Sequence, residues 1–461
     1  MHTVTTRRPL LVVVLAAGKG TRMRSDLPKV LHAVAGRSML GHVLATAGAL
    51  GAARSAVVVG PGMEAVAEEA RRWASDARVF VQSEQQGTAN AVLAAREALT
   101  GHAGDVLVLY GDTPLIPAET LAAMIGALDA APGVAVLGFE AADPTGYGRL
   151  LTDGDGTLIA IREDKDATPA ERSVRLCNSG VLGFRVDDVA GLLSAIGNDN
   201  AKGEFYLTDA VAIARARGLA TSVVVCPEED VIGVNDRSQL AAVEAIWQAR
   251  ARRRAMLAGV TMTDPGSVHL AYDTVIGRDV VIESNVVFTP GVVVGDRVHI
   301  KANTYLEGAD RKSQGGVVIE HGAEVGPFAR LRPGTRLAAD VHIGNFVEVK
   351  NAVMGAGAKA NHLTYVGDAS VGAGANIGAG TIFCNYDGFT KNRVEVGDGV
   401  FIGSNAALVA PVSIGAGAYV AAGSVITRNV AAGSLAITRA SQEERPEWAA
   451  KYRAMMGRRK R

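Results

Sequence analysis

The chain has 461 residues, is 48% hydrophobic, and sets 47 Lys and Arg against 47 Asp and Glu, a formal net charge of zero. That length predicts two or three domains with large cores, and the neutral balance gives no argument for a nucleic-acid partner. Cys177, Cys226 and Cys384 are too few and too scattered for a disulfide framework or a zinc site, which fits a reducing compartment. The longest early apolar run, Leu10 to Ala17, is too short to span a bilayer. Gly18-Lys19-Gly20 after it is a poor signal-cleavage context. The expectation is a cytoplasmic protein without membrane insertion.

Leu10 to Val14 reads as a buried parallel strand. It runs into Leu15-Ala16-Ala17-Gly18-Lys19-Gly20-Thr21-Arg22-Met23, with Pro28-Lys29 following. A Gly-rich turn leaving a buried strand presents backbone N–H groups where open α/β sheets bind ligands. Lys19, Arg22 and Lys29 add cations, so the loop is a cradle for a polyphosphate. Lys19 lies between two glycines, which excludes a Walker A loop, and Met23 stands where a dinucleotide fingerprint needs its third glycine. Val57–Val59, Val79–Val81, Val106–Tyr110 and Val134–Leu137 read as further buried strands alternating with Ala-rich helical stretches. That grammar predicts an α/β domain over 1–236 with a mostly parallel sheet. Tyr110-Gly111-Asp112 ends one of these strands, a natural place for a metal-binding carboxylate.

Residues 237–258 read as a connector helix. Leu240, Val243, Ile246 and Trp247 form an apolar stripe at helical spacing, and Arg250, Arg252, Arg253 and Arg254 crowd its end. After residue 259 the grammar changes. An apolar residue recurs every six positions at Ile276, Ile282, Phe288, Val294, Ile300 and Leu306. The period returns at Ile319, Val325, Leu331, Leu337, Ile343 and Val349, and again at Val396, Ile402, Leu408, Ile414, Val420 and Ile426. Six fits neither an amphipathic helix nor an alternating strand; it is the hexapeptide period of a β-helix, expected over 259–440. The period breaks at Gly308–Val318 and at Phe383–Val394, which predicts two surface excursions. Residues 441–461 read as a basic C-terminal tail, whose last run, Arg458-Arg459-Lys460-Arg461, is expected to be solvated and disordered.

The Leu15–Lys29 string resembles the signature of sugar-1-phosphate nucleotidyltransferases, and the hexads resemble the left-handed parallel β-helix of hexapeptide acyltransferases. Further strings follow in order: Gln82-Ser83-Glu84-Gln85-Gln86-Gly87-Thr88, Asp143 to Arg149, Glu163, Asn178-Ser179-Gly180 and Gly233-Val234-Asn235. From Leu11 to about Arg445 the chain resembles the bifunctional N-acetylglucosamine-1-phosphate uridylyltransferase/glucosamine-1-phosphate N-acetyltransferase family. The resemblance implies a Rossmann-like nucleotidyltransferase domain, a connector helix and a left-handed β-helix. It implies Mg²⁺ on Asp112 and Asn235. Leu15 to Gly18, Gln82, Gly87, Thr88, Tyr110 and Gly111 would form the UTP site, with Arg22 and Lys29 neutralising the triphosphate. Gly148, Glu163 and Asn178 would bind the N-acetylated sugar. Asn90 stands where the family usually has His; Asn keeps hydrogen-bonding capacity, so adjustment rather than loss is expected.

Acetyl transfer from CoA to an amine needs a base and an oxyanion donor. His362, in His362-Leu363-Thr364-Tyr365, is the candidate base, and Glu348 is the residue expected to orient it. By the same resemblance Arg332 and Lys350 would grip the sugar phosphate, with Tyr365 and Asn376 ordering the sugar. Asn385, Tyr386, Ser404, Ala422 and Arg439 would contact acetyl-CoA, and Arg445 is a further basic candidate. Such sites lie between neighbouring prisms, which implies a homotrimer. Three rivals are weaker. A monofunctional nucleotidyltransferase with a scaffolding β-helix leaves the His362 set unexplained. A γ-carbonic-anhydrase-type metal site needs converging histidines, whereas His299, His321, His342 and His362 are about twenty residues apart. A bare trimerisation scaffold needs neither the loop nor Asp112.

Overall fold

The structure, a computed structural model, describes residues 8–308 and 315–459. Two compact units divide the chain, one running to Ala251 and one starting at Arg252. The division falls inside the helix Arg237–Leu257.

In the first unit the strand Leu10–Leu15 is buried along its whole length. It pairs in parallel with Arg54–Val59 on one side and Asp105–Tyr110 on the other. Its alternate side chains enter two cores, Val12 and Val14 on one face of the sheet, Leu11, Val13 and Leu15 on the other. The sheet runs Ala220–Cys226, Gly133–Glu140, Leu176–Phe184, Asp105–Tyr110, Leu10–Leu15, Arg54–Val59, Arg78–Val81. Every neighbour on that path is parallel except at Leu176–Phe184, which opposes both of its neighbours. The hairpin Arg149–Thr152/Leu158–Arg162 attaches through Cys177 and Arg149.

One strand departs from expectation. Arg78–Val81 is half-buried to exposed rather than buried, because it is the edge and has a neighbour on one side only. The connector stripe behaves as read: Val243 is buried with Met23, Val34, Met39, Leu115 and Val234, and Leu240, Ile246 and Trp247 pack against them. That cluster grips the segment just after the glycine turn.

The second unit is a left-handed parallel β-helix of two- to seven-residue strands. The hexad residues point inward; Leu331, Val349, Ile402 and Leu408 have no accessible surface. Register partners lie 18 apart at Ile319 and Leu337 but 17 apart at Leu337, Met354 and Val371. The coil therefore continues through 349–383, where five-residue steps at Val349–Met354 and Val366–Val371 interrupt the six-residue period. Met354, Ala360, Val366, Val371, Ile377 and Phe383 are its buried members there. The five-residue step from Val349 to Met354 turns two short strands and their corner into one strand, Glu348–Met354, and Tyr365–Val371 repeats this one coil later.

The two excursions are shorter than expected. Val317–Ile319 is a strand paired on both sides, so the coil resumes before Val318; residues 309–314 lie outside the described residues. Phe383 and Cys384 belong to the strand Ile382–Cys384, which leaves a loop from Asn385 to Arg393. Its anchor is Asp387, whose carboxylate accepts from the Phe389 and Thr390 amides at 2.8 and 2.7 Å. Those bonds hold its acidity at a pKa of about 2. The basic tail also needs correction. Trp448–Arg459 is a helix and includes Arg458 and Arg459, since Ala, Met, Lys and Arg are strong helix formers; Lys460 and Arg461 lie outside the described residues.

His42 ties the first turn of Met39–Ala49 to the connector. Its Nε2 donates to the Val34 carbonyl at 2.9 Å and its ring meets Trp247 edge-on at 6.3 Å. Burial lowers its pKa to about 4. The unfolded chain, with an ordinary His, takes up this proton first, so stability is lost as pH falls from about 6.5 to about 4. His42→Gln keeps a donor without a titrating ring. Urea unfolding across that window is expected to show a shallower pH dependence in the variant.

Candidate active sites

The parallel pairing of Leu10–Leu15 with both neighbours brings three strand ends to one edge of the sheet. The Gly111 amide donates to the Leu15 carbonyl at 2.9 Å and the Ala16 amide to Val58 at 2.8 Å, which pins the loop to both neighbouring strand ends. Gly20 turns the loop at φ 61°, and a Cβ there would lie 2.6 Å from the Lys29 Cβ. Only glycine lets Lys29 fold back under the loop. A cavity of about 350 Å³ results, lined by Leu15, Ala16, Ala17, Gly18, Lys29, Gln82, Gly87, Thr88, Tyr110 and Asp112. Lys19 is exposed and lies outside this lining.

Two cations already sit on the expected metal ligands. The Lys29 Nζ pairs with the Asp112 carboxylate and lies 3.4 Å from the Asn235 Oδ1. Arg22 donates to the same Asn235 oxygen at 2.8 Å. Asp112 and Asn235 are joined across 123 positions of sequence by the Val234 amide, which donates to the Asp112 carbonyl at 3.0 Å. The two side chains offer hard oxygen donors only, and few of them, which suits a divalent cation completed by phosphate and water.

Gln82 is buried in the far wall. Its amide donates to Asn90 Oδ1 at 2.9 Å and to the Gly87 carbonyl at 3.2 Å. With both amide protons taken, the carbonyl oxygen is what Gln82 can offer a ligand. Gly87, at φ 119°, packs so closely on Phe205 that a Cβ would lie 2.6 Å from its carbonyl oxygen. Burial, with Asp112 and Glu163 nearby, pushes the Tyr110 phenol far above its ordinary range. Gly148, Glu163 and Asn178 converge: a Cβ on Gly148 would lie 3.6 Å from both the Asn178 Cβ and the Glu163 Oε1. Burial raises Glu163 while a hydrogen bond from Thr208 opposes it. Glu163 lines a smaller cleft with Gly146, Lys202 and Tyr206.

On the β-helix the candidates fall on two sheets. Lys350 and Tyr365 lie on one, with Arg332 and Asn385 directly after strands of that sheet. Glu348 is register partner of Tyr365, and Lys350 of Gly367; Asn385 donates to the Tyr365 hydroxyl at 3.3 Å. The neighbouring Lys391 side chain pushes Lys350 below its usual range, so Arg332, Lys350 and Lys391 form a cationic patch fit for a phosphate. His362 and Asn376 belong to the other sheet. Ser404 and Ala422 occupy equivalent points of successive coils, the Gly423 amide donating to the Ser404 carbonyl at 2.8 Å. Arg439 donates to the Ala422 carbonyl at 2.8 Å. Tyr386 is exposed in the 385–393 loop. Arg445 is exposed and has Glu443 at 3.9 Å.

Glu348 does not orient His362. It accepts from Arg332 at 2.8 Å and has Arg330 at 3.9 Å. The His362 Nδ1 instead meets Asn345 Oδ1 at 2.7 Å.

Residues 12–164 match the MobA-like NTP transferase domain, and 273–308 and 393–428 match the bacterial transferase hexapeptide repeats. The chain is 60% identical to the bifunctional protein GlmU of Azorhizobium caulinodans over 98% of both chains. It is 57% identical to that of Xanthobacter autotrophicus over 97% of this chain and 98% of the relative. With that of Ruegeria sp. it shares 54% over 96% and 97%. The chain belongs to the GlmU family. GlmU proteins carry both uridylyl transfer and glucosamine-1-phosphate acetyl transfer in UDP-N-acetylglucosamine synthesis, and this chain is bifunctional in the same sense. The monofunctional reading is thereby set aside.

Gln85, Glu204 and Asn345 line the candidate sites without a role assigned to them from sequence. Gln85 donates to the Ala17 carbonyl at 2.9 Å and joins the loop to the Gln82 wall; Glu204 lines the same cavity. Asn345 was legible only as the residue 17 before His362, one short coil away. Asn90 fills its unusual position by accepting from Gln82. Asn90→Ala removes that acceptor, and steady-state kinetics are expected to show the nucleotide KM rising about fivefold, the worth of roughly 1 kcal/mol of hydrogen bond.

Proposed function

We propose that residues 1–236 carry uridylyl transfer from UTP and residues 259–440 carry acetyl transfer from acetyl-CoA, joined by the connector helix 237–258. The observation that carries the reading is the convergence of Lys29, Arg22, Asp112 and Asn235 beneath a glycine turn at a strand edge. The Gln82 carbonyl suits the N3–H of uracil, which is a donor in uracil and an acceptor in cytosine. Arg22 and Lys29 bind the triphosphate and hold it for in-line attack by the sugar phosphate, with pyrophosphate leaving. Gly148, Glu163 and Asn178 receive the N-acetylated sugar. Asp112 and Asn235 would hold Mg²⁺, which when bound supplies charge neutralisation at the phosphates.

At the second site the glucosamine 1-phosphate lies with its phosphate on Arg332 and Lys350, and Tyr365 and Asn376 order its ring. The 2-amino nitrogen bonds to the thioester carbon as His362 takes its proton. The C–S bond breaks, and the CoA sulfur leaves with that proton. Asn385, Tyr386, Ser404, Ala422 and Arg439 hold acetyl-CoA. The chain works as a homotrimer in the cytoplasm, supplying a precursor for peptidoglycan and lipopolysaccharide. Hexapeptide repeats support an oligomer, and among the described residues no helix is long and apolar enough to cross a membrane.

Two assays on one preparation test this. Asp112→Ala is expected to remove pyrophosphate release from UTP and N-acetylglucosamine 1-phosphate while sparing CoA release. His362→Ala is expected to lower CoA release about 10²–10⁴-fold while sparing the first reaction. Loss of both activities in either folded variant would defeat the two-site reading.

Lys29 gives a sharper test. Lys29 pairs with the Asp112 carboxylate proposed to hold the metal. Lys29→Met is expected to tighten Mn²⁺ binding to nucleotide-free protein, read by electron paramagnetic resonance. The same change lowers uridylyl-transfer kcat/KM by roughly 10²-fold or more.

A further inference from the structure

We propose that Asn345 is the positioning residue of acetyl transfer, fixing the tautomer and ring direction of His362; this rests on the reading of His362 as the base. The Asn345 Oδ1 stands 2.7 Å from the His362 Nδ1. A side-chain carbonyl oxygen accepts and cannot donate, so Nδ1 carries the proton and the lone pair of the neutral ring is at Nε2.

The coil makes this contact close to obligatory. Asn345 and His362 are register partners on adjacent parallel strands. Each is followed by a corner residue at positive φ, Phe346 at 56° and Leu363 at 50°. The Leu363 amide donates to the Asn345 carbonyl at 3.0 Å, and the Gly380 amide to the His362 carbonyl at 3.2 Å. Thr364 Oγ1 donates to the same His362 carbonyl at 2.7 Å. The main chain of His362 is thus held from both neighbouring coils. The remaining freedom is rotation of the ring, and Asn345 removes it. Glu348, the alternative partner, is engaged by Arg332 on the other sheet.

An amide suits the task better than a carboxylate. The groove beside the ring, about 270 Å³, is also lined by Lys301, Glu324 and His342. Lys301 and Glu324 are paired at 2.8 Å. A neutral acceptor at Asn345 sets the tautomer without adding a charge that would trap the proton on the imidazole. His362 can then accept the proton from the amine and release it to the CoA sulfur. This is the orienting-partner arrangement of a catalytic histidine built from two coils of a solenoid.

The test uses the full chain and three variants. Asn345→Ala is expected to lower acetyl-transfer kcat about 10–100-fold, the usual effect of removing a histidine's orienting partner, with the KM for glucosamine 1-phosphate within about twofold. Asn345→Asp restores an acceptor but stabilises the imidazolium. Its acid limb of kcat/KM is expected to move to higher pH, with activity recovering above the Ala variant on the alkaline side. Uridylyl transfer in the same preparations and a thermal melt report folding. If Asn345→Ala destabilises the β-helix, the pH profile of the isosteric Asp variant decides alone. Retention of kcat within twofold in Asn345→Ala overturns the proposal. So does equal loss in both variants with an unmoved acid limb, which is a structural effect only. Undiminished acetyl transfer in His362→Ala would instead overturn the base itself, a separate failure.

Discussion

Parallel strand pairing is the constraint on which both sites depend. Strands that all run one way deliver their carboxyl ends to a single edge. Leu15, Val81 and Tyr110 therefore end on the same side of the sheet, and the segments that follow them build one cavity. In the solenoid the same pairing closes on itself. Each turn stacks on the last by one strand spacing, so residues 17 or 18 apart become neighbours. Sequence distance is converted into contact by a fixed rule, so that candidate acetyl-transfer residues such as Lys350, His362 and Tyr365 lie on neighbouring coils, while Asn385 and Tyr386 come from the 385–393 loop.

Charge is held in a common way at both sites. Lys29 and Arg22 rest on Asp112 and Asn235. Arg332 rests on Glu348. Lys350 and Lys391 lie together near Asp368, whose carboxylate also accepts from Asn351 and Asn385. Under the proposed function these cations meet phosphate, and the acceptors beside Lys29, Arg22 and Arg332 limit the reorganisation needed when an anion arrives. The arrangement also explains why carboxylates and amides accompany the cations at a site for anionic ligands.

Much of this was legible from residues. The Leu10–Leu15 strand, the glycine turn, the connector stripe and most hexads follow from local pattern, because burial on one face imposes a period. What was lost follows from physics as well. Two five-residue steps shift the phase of the six-residue period, so the coils through Met354 and Val371 leave no sustained signal although their side chains are fully or almost fully buried. Arg78–Val81 is as β-branched and aromatic as a central strand, and nothing local marks it as the edge. The basic run Arg458–Arg461 points to solvated coil, whereas the intrinsic propensity of the segment favours the Trp448–Arg459 helix.

The sequence by itself determined the two folds, the family and the candidate chemistry, since those rest on residue type and spacing along the chain. Only the tertiary structure decided partners. It set Lys29 on Asp112, turned the Gln82 amide by Asn90, paired Glu348 with Arg332, and left His362 to Asn345. Side-chain partnerships depend on which residues the coil and sheet register bring within about 3 Å, and a change of one residue in a coil moves every such neighbour.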